Sequence, residues 1–284
     1  MNEIRLIVMP YELDRARYGV GRGPERMLEF GAEEALGAGG AAVRKEVLEL
    51  EGEFSNETEA CFELIGMVSA RVREAIRDGA FPVILSGSCF AAVGVVAGLD
   101  EQAPGVVWFD AHGDFNSTES TDSGYFDGMG VSILTGGSWQ GMLATIEGAR
   151  PMPETAVVLA GARDFDPGEE PRLKSSDVSH LPPESIRSPE TLLEGLESMT
   201  PSPTGVYLHV DLDVLDIDEA RVNIYSVPDG VDADQLESAV GAIVANQPVR
   251  AFSLTAYDPE CDVDDAVPPI AMRLLSVIAN QVDD

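Results

Sequence analysis

The chain reads as an α/β protein, a three-layer α/β/α arrangement around a mostly parallel central sheet. Short β-rich apolar runs alternate with helix-like segments, the pattern of a parallel sheet covered on both faces. Two acidic runs each follow such an apolar stretch, where the strands of open sheets end and bind ligands. Taken in order, strands are expected at 4–9, 46–49, 82–86, 105–109, 155–160, 205–211 and 249–255. Helices are expected near 23–37, 57–78, 89–99, 127–135, 189–198, 233–245 and 267–280. Met1–Pro10 has too short an apolar run for a signal peptide and reads as the first strand. Gly-Val-Gly-Arg-Gly-Pro at 19–24 lacks the Lys-Ser/Thr ending of a phosphate loop and the dinucleotide spacing, and reads as helix entry. In 57–78, Cys61, Ile65, Val68, Val72 and Ile76 recur at helical spacing, so this helix should lie on the sheet, with Gly79 as its stop. Residues 161–188, rich in Pro, Ser and charge, are expected to form a long pocket-forming loop. There is no internal repeat and no low-complexity tract.

At 284 residues and 44% hydrophobic content, with no break in composition, the chain can bury one large core, and a single domain over 1–284 is expected. No apolar stretch reaches membrane-spanning length. Cys61, Cys89 and Cys261, odd in number and widely spaced, fit reduced thiols and a cytoplasmic location. Lys and Arg total 18 against 50 Asp and Glu, a formal charge of −32, which repels nucleic-acid phosphates and anionic membranes. Lys45 and Lys174 are the only lysines. Such acidity suits a solvated, repulsive surface, as in a salty cytoplasm.

The acidic runs are Trp108-Phe-Asp110-Ala-His112-Gly-Asp114-Phe-Asn116 and, about a hundred positions later, His209-Val-Asp211-Leu-Asp213-Val-Leu-Asp216. Side chains at i, i+2 and i+4 of extended chain share a face, so Asp110, His112 and Asp114 can converge, as can Asp211 and Asp213. Four carboxylates and an imidazole suit Mn²⁺ or a similar divalent ion, and argue against a thiolate zinc or iron–sulfur site. His209 shares the face of Asp211 and Asp213 and reads as a satisfied core histidine or as support for a carboxylate ligand. His180 is expected at the solvent-exposed surface of the Ser-Pro-rich loop. With no nucleophile elbow and no Ser-His-Asp motif, a serine hydrolase is disfavoured.

With Gly-Val-Gly-Arg-Gly-Pro-Glu, Gly161-Ala-Arg163-Asp-Phe-Asp166-Pro-Gly-Glu169 and Tyr257-Asp-Pro-Glu260 added, the pattern resembles the arginase–agmatinase–formimidoylglutamase (ureohydrolase) superfamily across most of the chain. The resemblance implies a two-manganese centre that hydrolyses a non-peptide C–N bond of a guanidino or amidine compound with a hydroxide generated at the metal. It implies Asp110 and Asp211 bridging two ions, His112 and Asp213 completing one, and Asp114 on the other. Where the family supplies a histidine ligand, this chain has Cys89. Its roles as a ligand for a softer ion and as a small buried residue both stay open. Where arginases place a proton-shuttling histidine this chain has Asp127, which with Asp110 completes the candidate catalytic set. Ala256 stands where arginases hold the guanidinium with an acid, which argues against unmodified arginine. The resemblance places Asn116 and Ser123 at a substrate α-carboxylate and Asp166 and Glu169 near its α-amino group. It also implies self-association as a trimer, hexamer or dimer. A member that binds a metal or small ligand without turnover, or with a single ion, is the alternative.

Overall fold

The computed structural model describes residues 3–99 and 104–282. Residues 1–2, 100–103 and 283–284, the tips of the expected first strand and domain among them, lie outside the described residues. The strands are β1 (Glu3–Met9), β2 (Tyr11–Glu12), β3 (Arg15–Ala16), β4 (Ala42–Val47), β5 (Phe81–Ser86), β6 (Gly105–Phe109), β7 (Val157–Ala160), β8 (Ser179–Leu181), β9 (Val206–Asp211) and β10 (Val249–Thr255). The helices are α1 (Gly23–Glu29), α2 (Ala32–Gly37), α3 (Glu57–Arg77), α4 (Ala91–Leu99), α5 (Gly130–Leu134), α6 (Gln140–Leu143), α7 (Glu169–Ser175), α8 (Pro183–Ile186), α9 (Pro189–Glu197), α10 (Ala233–Asn246) and α11 (Val267–Val282).

Eight strands form one sheet in the order β4-β1-β5-β10-β9-β6-β7-β8, and each neighbouring pair is parallel. The fold is therefore the expected three-layer α/β/α. Parallel strands covered on both faces need apolar side chains on both, and alternation then feeds two separate cores. Leu6 and Val8 of β1 join the core under α2, α10 and α11, while Ile7 and Met9 join the core under α3 and α4. On that second side α4 lies very close to α3. A Cβ on Gly94 would stand 2.4 Å from the Ile65 carbonyl, so only glycine allows this helix–helix distance.

Local signals set the helix ends. Asn56 caps α3 by accepting a hydrogen bond from Glu59 N at 2.9 Å, and Gly79 follows the helix with a φ of 75°. At α10, Asp232 and Gln235 form a reciprocal capping box.

Several boundaries differ from expectation. The second strand of the sheet runs over 42–47 rather than 46–49, as a polar edge strand whose charged residues face water. The segment 23–37 splits into two helices at Gly31, which has a φ of 98°. In place of one long loop, 161–188 contains α7, β8 and α8; β8 is a three-residue edge strand, too short to show a period, and Pro183 opens α8 at its first turn. The β2–β3 hairpin and α6 were likewise too short to leave a pattern.

What matters for function is where the central strands point. After β5 the chain skips two places to build β6, and β9 and β10 later fill the gap. The C-terminal ends of β5, β10, β9 and β6 thus lie side by side, carrying respectively Ser86–Cys89, Thr255–Ala256, Asp211–Asp213 and Asp110–Asp114.

Candidate metal centre

A pocket at these strand ends is lined by Cys89, His112, Asp114, Asp127, Asp211 and Asp213, and on its outer wall by Asn116, Ser123, Asp166 and Glu169. The two acidic runs meet there, but alternation is not what brings them together. β6 ends at Phe109, so Asp110, His112 and Asp114 sit on the loop beyond it, and Asp114 turns inward through a left-handed backbone with a φ of 46°. Asp211 closes β9, and Asp213 lies on the 3₁₀ turn Leu212–Val214 capped by the Asp211 carboxylate, which accepts from Asp213 N at 2.8 Å. Turns, not pleats, aim the ligands.

Asp110, Asp211 and Asp213 are each held by hydrogen bonds from neighbouring groups. Asp110 accepts from His112 N at 2.7 Å and from the Trp108 indole at 2.9 Å. Asp213 accepts from Ala111 N at 3.2 Å and from Asn223 Nδ2 at 3.0 Å; the same amide donates to the Ala256 carbonyl at 2.9 Å. His112 Nδ1 lies 3.2 Å from Asp110 Oδ1 and 3.5 Å from Asp213 Oδ2. Cys89 Sγ lies 2.9 Å from Asp211 Oδ2. The backbone route to Cys89 passes through Gly87, where a Cβ would stand 2.3 Å from the Tyr11 carbonyl. That contact leaves room for no other residue.

The electrostatics are those of carboxylates gathered in a buried pocket. Burial, and neighbouring carboxylates after it, push Asp110, Asp114 and Asp211 above the usual carboxylate range. Burial works against protonating His112, yet Asp213 and Asp110 together lift its imidazolium to about 10. Asp114 Oδ2 is buried with no hydrogen-bond partner, which is costly for a carboxylate unless something cationic faces it. Ligand atoms of Asp110, His112 and Asp213 lie within 4.8 Å of one another, as do those of Cys89, Asp110 and Asp114. These residues fit a divalent ion at the first cluster and a second position beside it, with Asp110 common to both.

The outer-wall residues differ among themselves. Asn116 is buried and donates to Asp166 Oδ2 at 2.9 Å, whereas Ser123 is exposed on the rim. Glu169 is buried, accepting from Phe115 N at 2.7 Å and Asp166 N at 3.3 Å, so its carboxylate ties the loop of Asp166 to that of Asn116. Burial raises it to about 7. Asp127, buried next to Cys89, accepts from Phe90 N at 2.8 Å, and burial raises it also to about 7. Ala256 lines the pocket and leaves no acid at that place. Tyr125 and Tyr225 close one side with ring centroids 5.8 Å apart.

His180 is exposed as expected, but on β8, with Nε2 2.8 Å from the Ala162 carbonyl. His209 is fully buried and satisfied. Sequence reasoning missed Trp108, Asn223, Tyr125, Tyr225 and Thr255. Trp108 precedes Asp110 by two places, a signal that alternation offered; Asn223 comes from a loop with no periodicity to place it.

A parallel α/β/α sheet whose central strands end in a cluster of carboxylates, imidazole and thiol is a scaffold able to hold divalent metal, and its relatives are ureohydrolase-type hydrolases. The family model described as "Arginase family" matches residues 2–279, and the chain belongs to that family. It is 31% identical over 236 residues to an arginase of Bacillus subtilis, covering 76% of this chain and 77% of that one. It is 29% identical over 223 residues to an N(omega)-hydroxy-L-arginine amidinohydrolase of Streptomyces lavendulae, covering 78% and 76%. The crystal structure of an arginase from Bacillus cereus superposes with a TM-score of 0.88 at 25% identity, covering 99% of each chain. Among the described residues no helix is long and apolar enough to cross a membrane.

Proposed function

We propose that the chain, folded as one domain, is a divalent-metal-dependent hydrolase of a non-peptide C–N bond in a small guanidino or amidine compound with an amino-acid tail. The observation that carries this reading is the buried, partnerless Asp114 carboxylate oxygen in a pocket of converging acids. Asp110, His112, Asp211 and Asp213 would hold Mn²⁺, with Asp114 reaching toward a second ion. The chemistry a divalent ion supplies when bound is neutralisation of these acids and a water of lowered pKa that attacks near neutral pH.

The remaining steps fall to the chain's own groups. With its carboxyl near half-protonation at neutrality, Asp127 gives a proton to the departing amine. Trp108 and Asn223 hold Asp110 and Asp213 at fixed angles, as partners of ligands do. Asn116 and Ser123 offer donors to a substrate carboxylate, and Asp166 an acceptor to its ammonium; Glu169 keeps that loop in place. Tyr125 and Tyr225 form one side of the pocket, with Tyr225 at its solvent edge. Because Ala256 offers no bidentate acid, a modified head group is favoured over unmodified arginine. The amino-acid relatives named above fit a tailed substrate better than a bare amine. The acidic surface suits a soluble cytoplasmic enzyme, and the family resemblance suits a homo-oligomer.

The test is metal analysis of freshly purified protein, followed by urea and ammonia release from arginine, its Nω-hydroxy derivative, agmatine, guanidinobutyrate, formiminoglutamate and guanidine. Metal-dependent turnover of a tailed compound, with agmatine poorer for want of the carboxylate, is expected. Metal bound with no turnover of any of them would favour the non-catalytic alternative, and no bound metal would overturn the reading.

A further inference from the structure

We propose that Cys89 makes the second metal position a sulfur-bearing one, so that the centre takes two unlike ions: Mn²⁺ beside His112, and a softer ion such as Zn²⁺ or Co²⁺ beside Cys89. This rests on the metal-dependent reading above and goes beyond it in naming a ligand and a preference.

Four features carry the inference. Cys89 Sγ, Asp110 and Asp114 present donor atoms within 4.8 Å of one another, and Asp211 Oδ2 adds an oxygen 2.9 Å from the sulfur. Donors around a tetrahedral ion with bonds of about 2.0–2.3 Å lie roughly 3.3–3.8 Å apart, a spacing that groups within 4.8 Å of one another reach by small side-chain shifts. Asp114, whose Oδ2 is buried without a partner, groups with Cys89 and Asp110 and not with His112 and Asp213. The donor set also splits by softness. The His112 position offers nitrogen and oxygen alone, while its neighbour offers a thiol, and a thiol selects Zn²⁺ or Co²⁺ over Mn²⁺.

The fourth feature lies behind the sulfur. Thr255 Oγ1 is 3.1 Å from Sγ and 3.4 Å from His209 Nε2; His209 Nδ1 is 3.1 Å from the Tyr207 hydroxyl, which is 2.7 Å from Ser253 Oγ. The sheet register lines these groups up, since Trp108, His209 and Ser253 occupy one row across β6, β9 and β10 and Trp108 stacks on His209 with centroids 3.8 Å apart. A cysteine that merely fills space among apolar side chains needs no such train of hydroxyls and imidazole. A thiolate that has given up its proton to solvent on binding a cation gains from one, because the Thr255 hydroxyl, 3.1 Å from the sulfur and able to donate to it, supports its charge, as partners of metal ligands do.

Protein stripped of metal is titrated with Co²⁺ and followed by the near-ultraviolet sulfur-to-cobalt charge-transfer band and by bound metal per chain, in wild type, Cys89→Ser, Cys89→His and Thr255→Val. Wild type should bind two ions and show the band. Cys89→Ser should lose the band and one ion, Cys89→His should bind two ions without the band, and Thr255→Val should keep the band while binding about 10-fold more weakly at that position. From Mn²⁺ in large excess over Zn²⁺, needed because nitrogen and oxygen donors also favour Zn²⁺ at equal concentrations, wild type should retain one of each and Cys89→His should retain more Mn²⁺. Cobalt bound by wild type with no charge-transfer band, or two Mn²⁺ retained in the competition, would overturn the sulfur position and leave the hydrolase reading standing. No ion bound by any variant would overturn both.

Discussion

The roles of single residues follow from what burial does to their charge. Asp127 is a carboxyl that burial has raised to about 7, as the proposed transfer of its proton to a leaving amine near neutral pH requires. Asp127→Asn keeps shape and loses the transferable proton, and should lower kcat about 100- to 10,000-fold with metal content unchanged. His209 is the opposite case: burial lowers its imidazole to about 3 from an ordinary 6.5. A folded-state value below the unfolded one means the unfolded chain binds the proton first, so this contribution is whole above pH 6.5 and is lost as pH falls from there toward 3, by roughly 1 kcal/mol per unit. An NMR titration should find His209 neutral at pH 5; a midpoint near 6.5 would contradict its burial. The acids of the centre could be read from sequence because their spacing is dense and their chemistry narrow. The strand face assumed for Asp110, His112 and Asp114 was not how they converge, since a positive φ at Asp114 leaves no trace in residue type beyond the tolerance of aspartate for that region.

Among elements, the legible ones were long or strongly apolar. The helix over 57–78 and the strands at 82–86, 105–109 and 249–255 match α3, β5, β6 and β10 to within a residue or so, because their cores leave a periodic or continuous signal. Short elements were lost: β8 and α8 hide in a Pro-rich segment, and pairing across the sheet, not local propensity, makes β8 a strand. The order of strands decides function more than their limits do. β10 lies between β5 and β9 and positions both Thr255 and Ala256, with Phe252 fully buried in its middle. Phe252→Ala should destabilise the fold by about 3–5 kcal/mol through the cavity it leaves, seen as a lower midpoint in chemical unfolding; a change under about 1 kcal/mol would mean the strand can collapse around the gap.

At the scale of the whole molecule, the formal charge of −32 and the acids of the pocket act in the same direction, against compactness and toward cations. Surface repulsion is screened over about 10 Å at 0.1 M salt, so the thermal midpoint should rise from low to molar salt, and no rise would mean that surface charge costs the fold little. Composition showed the acidity but not its arrangement, and only the folded sheet reveals that some acids point inward to a shared point while others face water. The claim on which everything else depends is that Asp110 organises a metal-dependent hydrolytic centre. Metal content and turnover measured side by side on wild type and Asp110→Asn test it most directly. The account predicts bound divalent metal and hydrolysis of a tailed guanidino or amidine compound in wild type, both lost in the variant while the fold is kept. Metal and turnover undiminished in Asp110→Asn would contradict it.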